Sequence, residues 1–105
     1  MGFTRTIAGA GGRFDWHRGG KQDQLWFFCP GCNLANMLPV SGSGAWRWDG
    51  NLDAPTLEPS ILCLTGKIRC HSFMRAGRLQ FLDDCTHALR GQTIDVPVLP
   101  DWMRD

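Results

Sequence analysis

A mainly β fold is what this sequence predicts: a small α+β domain of antiparallel hairpins with one short helix. Three observations predict it. Apolar residues come in short runs of about four or five, bounded by Gly, Pro, Asn and Asp, which is strand length rather than helix length. Trp46-Arg47-Trp48 alternates with period two, so both rings point to one face. Ala76-Gly77 separates two extended stretches, Lys67 to Met74 and Arg78 to Asp83, with Gly at the tight position of a hairpin.

The elements follow in order. Residues 1–24 are rich in Gly, Arg, Gln and Asp, with Phe14 and Trp16 as apolar anchors, and read as a Gly-rich arm or edge strand. Leu25-Trp26-Phe27-Phe28 is a short aromatic run expected as a buried strand. Met37-Leu38-Pro39-Val40 is a second strand, ended by Ser41-Gly42-Ser43-Gly44. After the Trp pair, Asp49-Gly50-Asn51 turns the chain. Pro55 and Pro59 bracket an extended stretch leading into a strand over Ser60-Ile61-Leu62-Cys63-Leu64. Beyond the hairpin, Asp84–Arg90 is the expected helix, closed by Gly91. Ile94–Leu99 is the last strand.

The 105 residues suit one domain with a modest core, in which five Trp and six Phe supply much of the apolar area. Net charge is +1, from 11 basic and 10 acidic residues, with no polybasic run. That balance carries no electrostatic case for nucleic acid. No stretch approaches the roughly 20 apolar residues that span a bilayer, so no membrane partner is expected. The N-terminus has no apolar core of signal-peptide length, so a cytoplasmic location is expected. Five cysteines in a reducing compartment, an odd number, point to metal or thiol chemistry rather than disulfides.

The sharpest motif is Cys29-Pro30-Gly31-Cys32. Two thiolates at this spacing reach one metal from a tight turn, a zinc knuckle in which Pro30 adds stiffness and Gly31 permits unusual dihedrals. A redox dithiol would want a helix starting at the motif, whereas Pro39 and a Gly/Ser segment follow here. A structural Zn2+ site needs two more ligands, from Cys70, His71, Cys85 and His87. Alternation puts Cys70 and His71 on opposite faces, so one ion does not take both. The preferred set is Cys29, Cys32, Cys70 and His87, with Cys85 as substitute for His87. Residues 25–105 then form a single zinc-binding domain after the arm of residues 1–24. Cys63, in Ile-Leu-Cys-Leu, reads as a small core hydrophobe, and His17, in the polar arm, as a solvated surface residue.

The hairpin end also holds a nucleophile, a base and an orienting carboxylate. Cys85 can attack, His71 or His87 can deprotonate it, and Asp84 can hold the imidazole. If Met74 pairs with Leu79, His71 and Asp84 share a face. Ser72 is the alternative nucleophile, or part of an oxyanion hole. The competing reading has Asp83 and Asp84 cap a helical turn while Ser72 and Thr86 satisfy local backbone. Deamination is disfavoured, because its zinc signature starts with a His-x-Glu that the chain lacks.

Taken together, Cys29-Pro-Gly-Cys32, Trp46-Arg-Trp48-Asp-Gly50, Pro55-Thr-Leu-Glu-Pro-Ser60, Arg69-Cys-His-Ser-Phe73 and Asp84-Cys-Thr-His-Ala-Leu-Arg-Gly-Gln-Thr93 form an ordered series. The series, over about residues 25–102, resembles the BubE-like family of phages and of bacterial operons for ubiquitin-like conjugation. The resemblance implies a cysteine- or serine-type peptidase that trims or removes a ubiquitin-like protein at its C-terminal tail, making that protein the expected partner. In relatives the position of Cys85 is often Ser, which suits a nucleophile better than an obligatory ligand and leaves His87 for the metal. Strand addition of the tail at a sheet edge, with Trp46 and Trp48 as walls, is the expected binding mode. The alternative is a non-enzymatic zinc module or phage accessory protein.

Overall fold

The computed structural model describes residues 5–103. Its strands are β1 (Arg5–Ala8), β2 (Asp15–Arg18), β3 (Gln24–Cys29), β4 (Leu34–Pro39), β5 (Arg47–Trp48), β6 (Leu57–Glu58), β7 (Ile61–Thr65), β8 (Ile68–Arg75), β9 (Arg78–Phe81) and β10 (Thr93–Asp95). One sheet has the order β1-β2-β3-β4, a second the order β10-β9-β8-β7, and β5-β6 is a two-stranded ribbon. All pairings are antiparallel. The fold is mainly β, as the short apolar runs predict.

Alternation decides which side chains are inside. On β3, Leu25, Phe27 and Cys29 are buried, and on β8 Cys70, Ser72 and Met74 are. Leu79 and Phe81 of β9 and Ile61 of β7 join them in one cluster with Phe14, Leu57 and Val96, so the two large sheets share a single core. The opposite face of the second sheet therefore presents Leu62, His71 and Phe73 outward. Strand β7 is that sheet's edge.

The predicted hairpin forms with the expected register, Met74 opposite Leu79 and Arg75 opposite Arg78. Both central residues have positive φ, 49° at Ala76 and 76° at Gly77, the backbone of a type I′ turn whose twist matches the strands.

Two expectations change. The predicted helix over Asp84–Arg90 is absent: the segment is a chain of single turns, Cys85 N–H to Leu82 O at 3.2 Å and Arg90 N–H to His87 O at 3.2 Å. Thr86 N–H instead reaches across to Arg69 O at 2.9 Å, which stitches the segment to β8 and interrupts any i to i+4 ladder. The one helical element among the described residues is a 3-10 turn over Asp101–Met103. His17, expected in solvent, is only 3% exposed. Its ring stacks on Trp26 with centroids 3.6 Å apart, and Nδ1 lies 3.1 Å from Thr6 Oγ1. The cause is that residues 5–18 pair as β1 and β2 onto β3, which turns alternate side chains of that segment inward.

Candidate active site and cysteine cluster

The outward face of the second sheet carries a linear relay. His71, on β8, faces Asp84 through Nδ1, at 3.1 Å from Oδ2 and 3.3 Å from Oδ1. Its Nε2 lies 2.9 Å from Ser60 Oγ. Ser60 stands immediately before β7. Leu62 is the register partner of His71, so Ser60 lies diagonally across the strand pair from the imidazole, on the same face. The carboxylate is held from a second side, by Arg69 Nε at 2.8 Å from Oδ2. The Arg69 hydrogen bond above all keeps the Asp84 carboxyl below the usual carboxylate range, against the opposing effect of desolvation and with the His71 contact adding to it. The Trp46 indole N–H, 3.4 Å from Ser60 O, ties the serine's backbone to the ribbon side of the fold.

The nucleophiles nominated from the sequence lie elsewhere. Cys85 is 2% exposed and faces inward. Its sulfur accepts from His71 N–H at 3.2 Å and its thiol donates to His71 O at 3.2 Å, so it engages the main chain of His71 while the imidazole points to Ser60. Without a helix in this segment, no helix N-terminus acts on that thiol. Ser72, 2% exposed, faces the core by alternation, away from the His71 ring. His71 and Asp84 do meet. Ser60 was missed, although it closes the Pro55–Ser60 block. The available signal was alternation across β7 and β8, which sets Ser60, Leu62, His71 and Phe73 on one face once the pairing is known.

On the inward side of the same sheet lies a sulfur cluster. Cys29 ends β3, Cys32 lies in the turn between β3 and β4, and Cys70 comes from β8. The three sulfurs lie within 4.8 Å of one another and are buried. Cys29 Sγ is 3.7 Å from Cys70 Sγ, and His87 Nε2 is 3.3 Å from Cys70 Sγ. Cys70, Cys85 and His87 form a second group within the same limit. Hydrogen bonds from the Cys32 thiol, then the Cys70 thiol, and further from the Gly31 and Cys32 backbone pull the Cys29 thiol down to about 3 despite burial. The Cys70 and Cys32 thiols are pushed up, chiefly by Cys29. Three buried sulfurs within 4.8 Å of one another are a donor set suited to a soft divalent cation, which would displace thiol protons on binding.

Gly31 has a role different from the one expected. The left-handed residue of this turn is Asn33, with φ 59°. A Cβ on Gly31 would lie 2.6 Å from His87 Nε2 and 2.7 Å from Phe81 Cε1. Glycine is needed there because the imidazole packs against the turn. Cys63, expected in the core, packs at its edge opposite Cys70. Its thiol is pushed up by burial first and by neighbouring Cys32 second.

A serine, a histidine and an aspartate in hydrogen-bond series agree with the comparison of sequence families. A family model described as "Bacterial ubiquitination-like system serine protease (BubE)" matches residues 7–82, more than half of the chain. The chain belongs to the BubE family. The BubE match starts within the arm, where no motif was recognised, and includes Ser60 and His71. It stops two residues before Asp84, so the last block of the ordered series falls outside it. Comparisons with curated proteins and with solved structures give no significant match. No helix among the described residues is long and apolar enough to cross a membrane.

Proposed function

We propose that this protein is a serine peptidase in which Ser60 is the nucleophile, His71 the general base and acid, and Asp84 the group that orients and charges the imidazole. The observation that carries the reading is the continuous series Ser60 Oγ to His71 Nε2 at 2.9 Å and His71 Nδ1 to Asp84 Oδ2 at 3.1 Å. As Oγ bonds to the substrate carbonyl carbon, its proton passes to Nε2, and the Asp84 carboxylate stabilises the imidazolium. Collapse of the tetrahedral intermediate breaks the bond to the leaving group, which takes the proton from Nε2. Water, deprotonated by the same nitrogen, then hydrolyses the acyl-enzyme and restores Ser60. In keeping with the family description, the substrate is a bacterial ubiquitin-like protein, cut at its C-terminal tail to mature it or release it from a target.

Cys29, Cys32, Cys70 and His87 would hold a structural Zn2+. Support comes from the proximity and burial of the three sulfurs, from His87 Nε2 against Cys70 Sγ, and from the close fit of Gly31 under the ring. Four protein donors leave no open position, which is the pattern of a structural site. Bound there, the ion would cross-link β3, the turn after it, β8 and the segment after β9, and so would help set the backbone that carries His71 and Asp84. Cys70 and His71 are adjacent, so one strand serves both sites from its two faces.

The test is labelling by a fluorophosphonate followed by peptide mass mapping, together with cleavage of a ubiquitin-like precursor. The label is expected on Ser60, and Ser60→Ala is expected to abolish both labelling and cleavage. Labelling elsewhere, or full cleavage by Ser60→Ala, would refute the assignment.

A further inference from the structure

A cleft of about 530 Å³ opens beside Ser60, lined by Ala45, Arg47, Glu58, Pro59 and Phe73. Pro59 directly precedes the serine. Phe73 lies one step beyond the Ile61–Ser72 pair, opposite Ser60 itself, and on the outward face with His71. Phe73, Pro59 and Ala45 supply apolar surface. Arg47 and Glu58 form an ion pair across the β5-β6 ribbon and make a polar rim. The Arg75 guanidinium stacks over the Phe73 ring at 4.4 Å from its centroid and steadies it.

The position of the imidazole decides which part of a substrate meets this cleft. A leaving group must come within hydrogen-bond reach of His71 Nε2, because that nitrogen returns the proton. His71 is paired with Leu62, one step along the sheet from Ser60 and away from Phe73. The leaving part therefore runs toward Leu62 and Leu64, and the acyl part runs the other way, into the cleft. We infer that the Ala45–Pro59–Phe73 cleft is the acyl-side specificity subsite, and that it takes an apolar side chain from the segment just before the scissile bond. This rests on Ser60 being the nucleophile. It names the substrate class further: an extended peptide with a Leu- or Phe-like residue within its last few acyl positions, whose polar backbone meets the Arg47–Glu58 rim.

The experiment uses the full chain with a series of tetrapeptide aminocoumarin amides that differ at one acyl position at a time. Labelling by a small fluorophosphonate is measured in parallel. The wild type is expected to prefer Leu or Phe over Asp or Gly at one position by about 10- to 200-fold in kcat/KM, the range an apolar pocket provides. Ala45→Trp, which fills the cleft from its rim, and Phe73→Ala, which removes its floor, are each expected to collapse that preference through KM. Ala45→Trp stands alone if Phe73→Ala fails to fold. A preference that survives Ala45→Trp, or a wild type that labels on Ser60 yet shows no apolar preference at any acyl position, overturns the subsite while leaving the nucleophile in place. Absence of label from Ser60 overturns the peptidase reading, and the subsite with it.

Discussion

Ser60 Oγ and His71 Nε2 stand 2.9 Å apart although Ser60 precedes β7, His71 lies on β8 and eleven positions separate them. The antiparallel pairing of β7 with β8 makes the contact, since it sets residue 62 against 71 and leaves 60 one diagonal away. A base at this distance can take a hydroxyl proton without rearrangement.

Ser60→Ala should lower turnover of a ubiquitin-like precursor by at least about 10³-fold, because removing the nucleophile disables the whole unit. Its melting temperature should stay close to that of the wild type. By contrast, Cys85→Ser should retain activity, since a hydroxyl can still bridge the His71 amide and carbonyl. Steady-state kinetics and thermal melts on both variants check this. A dead, folded Cys85→Ser beside an active Ser60→Ala would reverse the assignment.

Asp84→Asn should cut kcat by roughly 10²-fold or more, with less effect than the roughly 10⁴-fold loss seen for a fully buried triad carboxylate. The reason is that Asp84 is 41% exposed, so water partly replaces it. Its folded pKa is depressed, by Arg69 first. The stabilisation it gives is therefore complete above the unfolded value of about 4 and is lost only as pH falls below that. An acid limb in the pH–rate profile above pH 5 should consequently persist in Arg69→Ala. A shift of that limb to higher pH in Arg69→Ala would show that Asp84 protonation causes it, because removing Arg69 relieves the depression of that carboxyl.

Metal removal should unfold the domain. Zinc at a thiolate-rich structural site contributes on the order of 10 kcal/mol, comparable with the 5–15 kcal/mol total stability of small domains (a rough span). Dialysis against a strong chelator should abolish the cooperative melt, and stoichiometric zinc should restore it. Cys63→Ala should keep one zinc per chain by elemental analysis. If it instead loses the metal, Cys63 belongs to the ligand set.

Gly31→Ala should weaken metal binding, since its Cβ would lie 2.6 Å from His87 Nε2 and must displace the ring. A competition titration with a chromogenic chelator measures the shift. Unchanged affinity would place His87 outside the site.

Ala76→Gly should stabilise the hairpin by about 1 kcal/mol, because glycine adopts a left-handed φ without a Cβ clash. The observed φ of 49° at Ala76 sets this expectation, and chemical denaturation reads it directly.

Composition and local pattern by themselves determined several features of this protein. Short apolar runs limited it to strands, Ala76-Gly77 set the Met74–Leu79 register, and that register put His71 beside Asp84. The Cys29–Cys32 spacing marked one edge of the sulfur cluster. These are short-range matters, governed by side-chain period and turn chemistry. What only the tertiary structure decided are the contacts made across strand pairs, even where a short turn joins them, as Gly66-Lys67 with Gly66 at φ 57° joins β7 to β8. The β7–β8 register brought Ser60 to His71, turned Ser72 inward and set Cys63 opposite Cys70. The Thr86–Arg69 stitch replaced the expected helix by single turns and directed Cys85 to the backbone of His71 rather than to its ring. The physical reason is that alternation tells which residues share a face of one strand, whereas a diagonal contact between strands depends on register. A shift of one residue in that register would turn the face over.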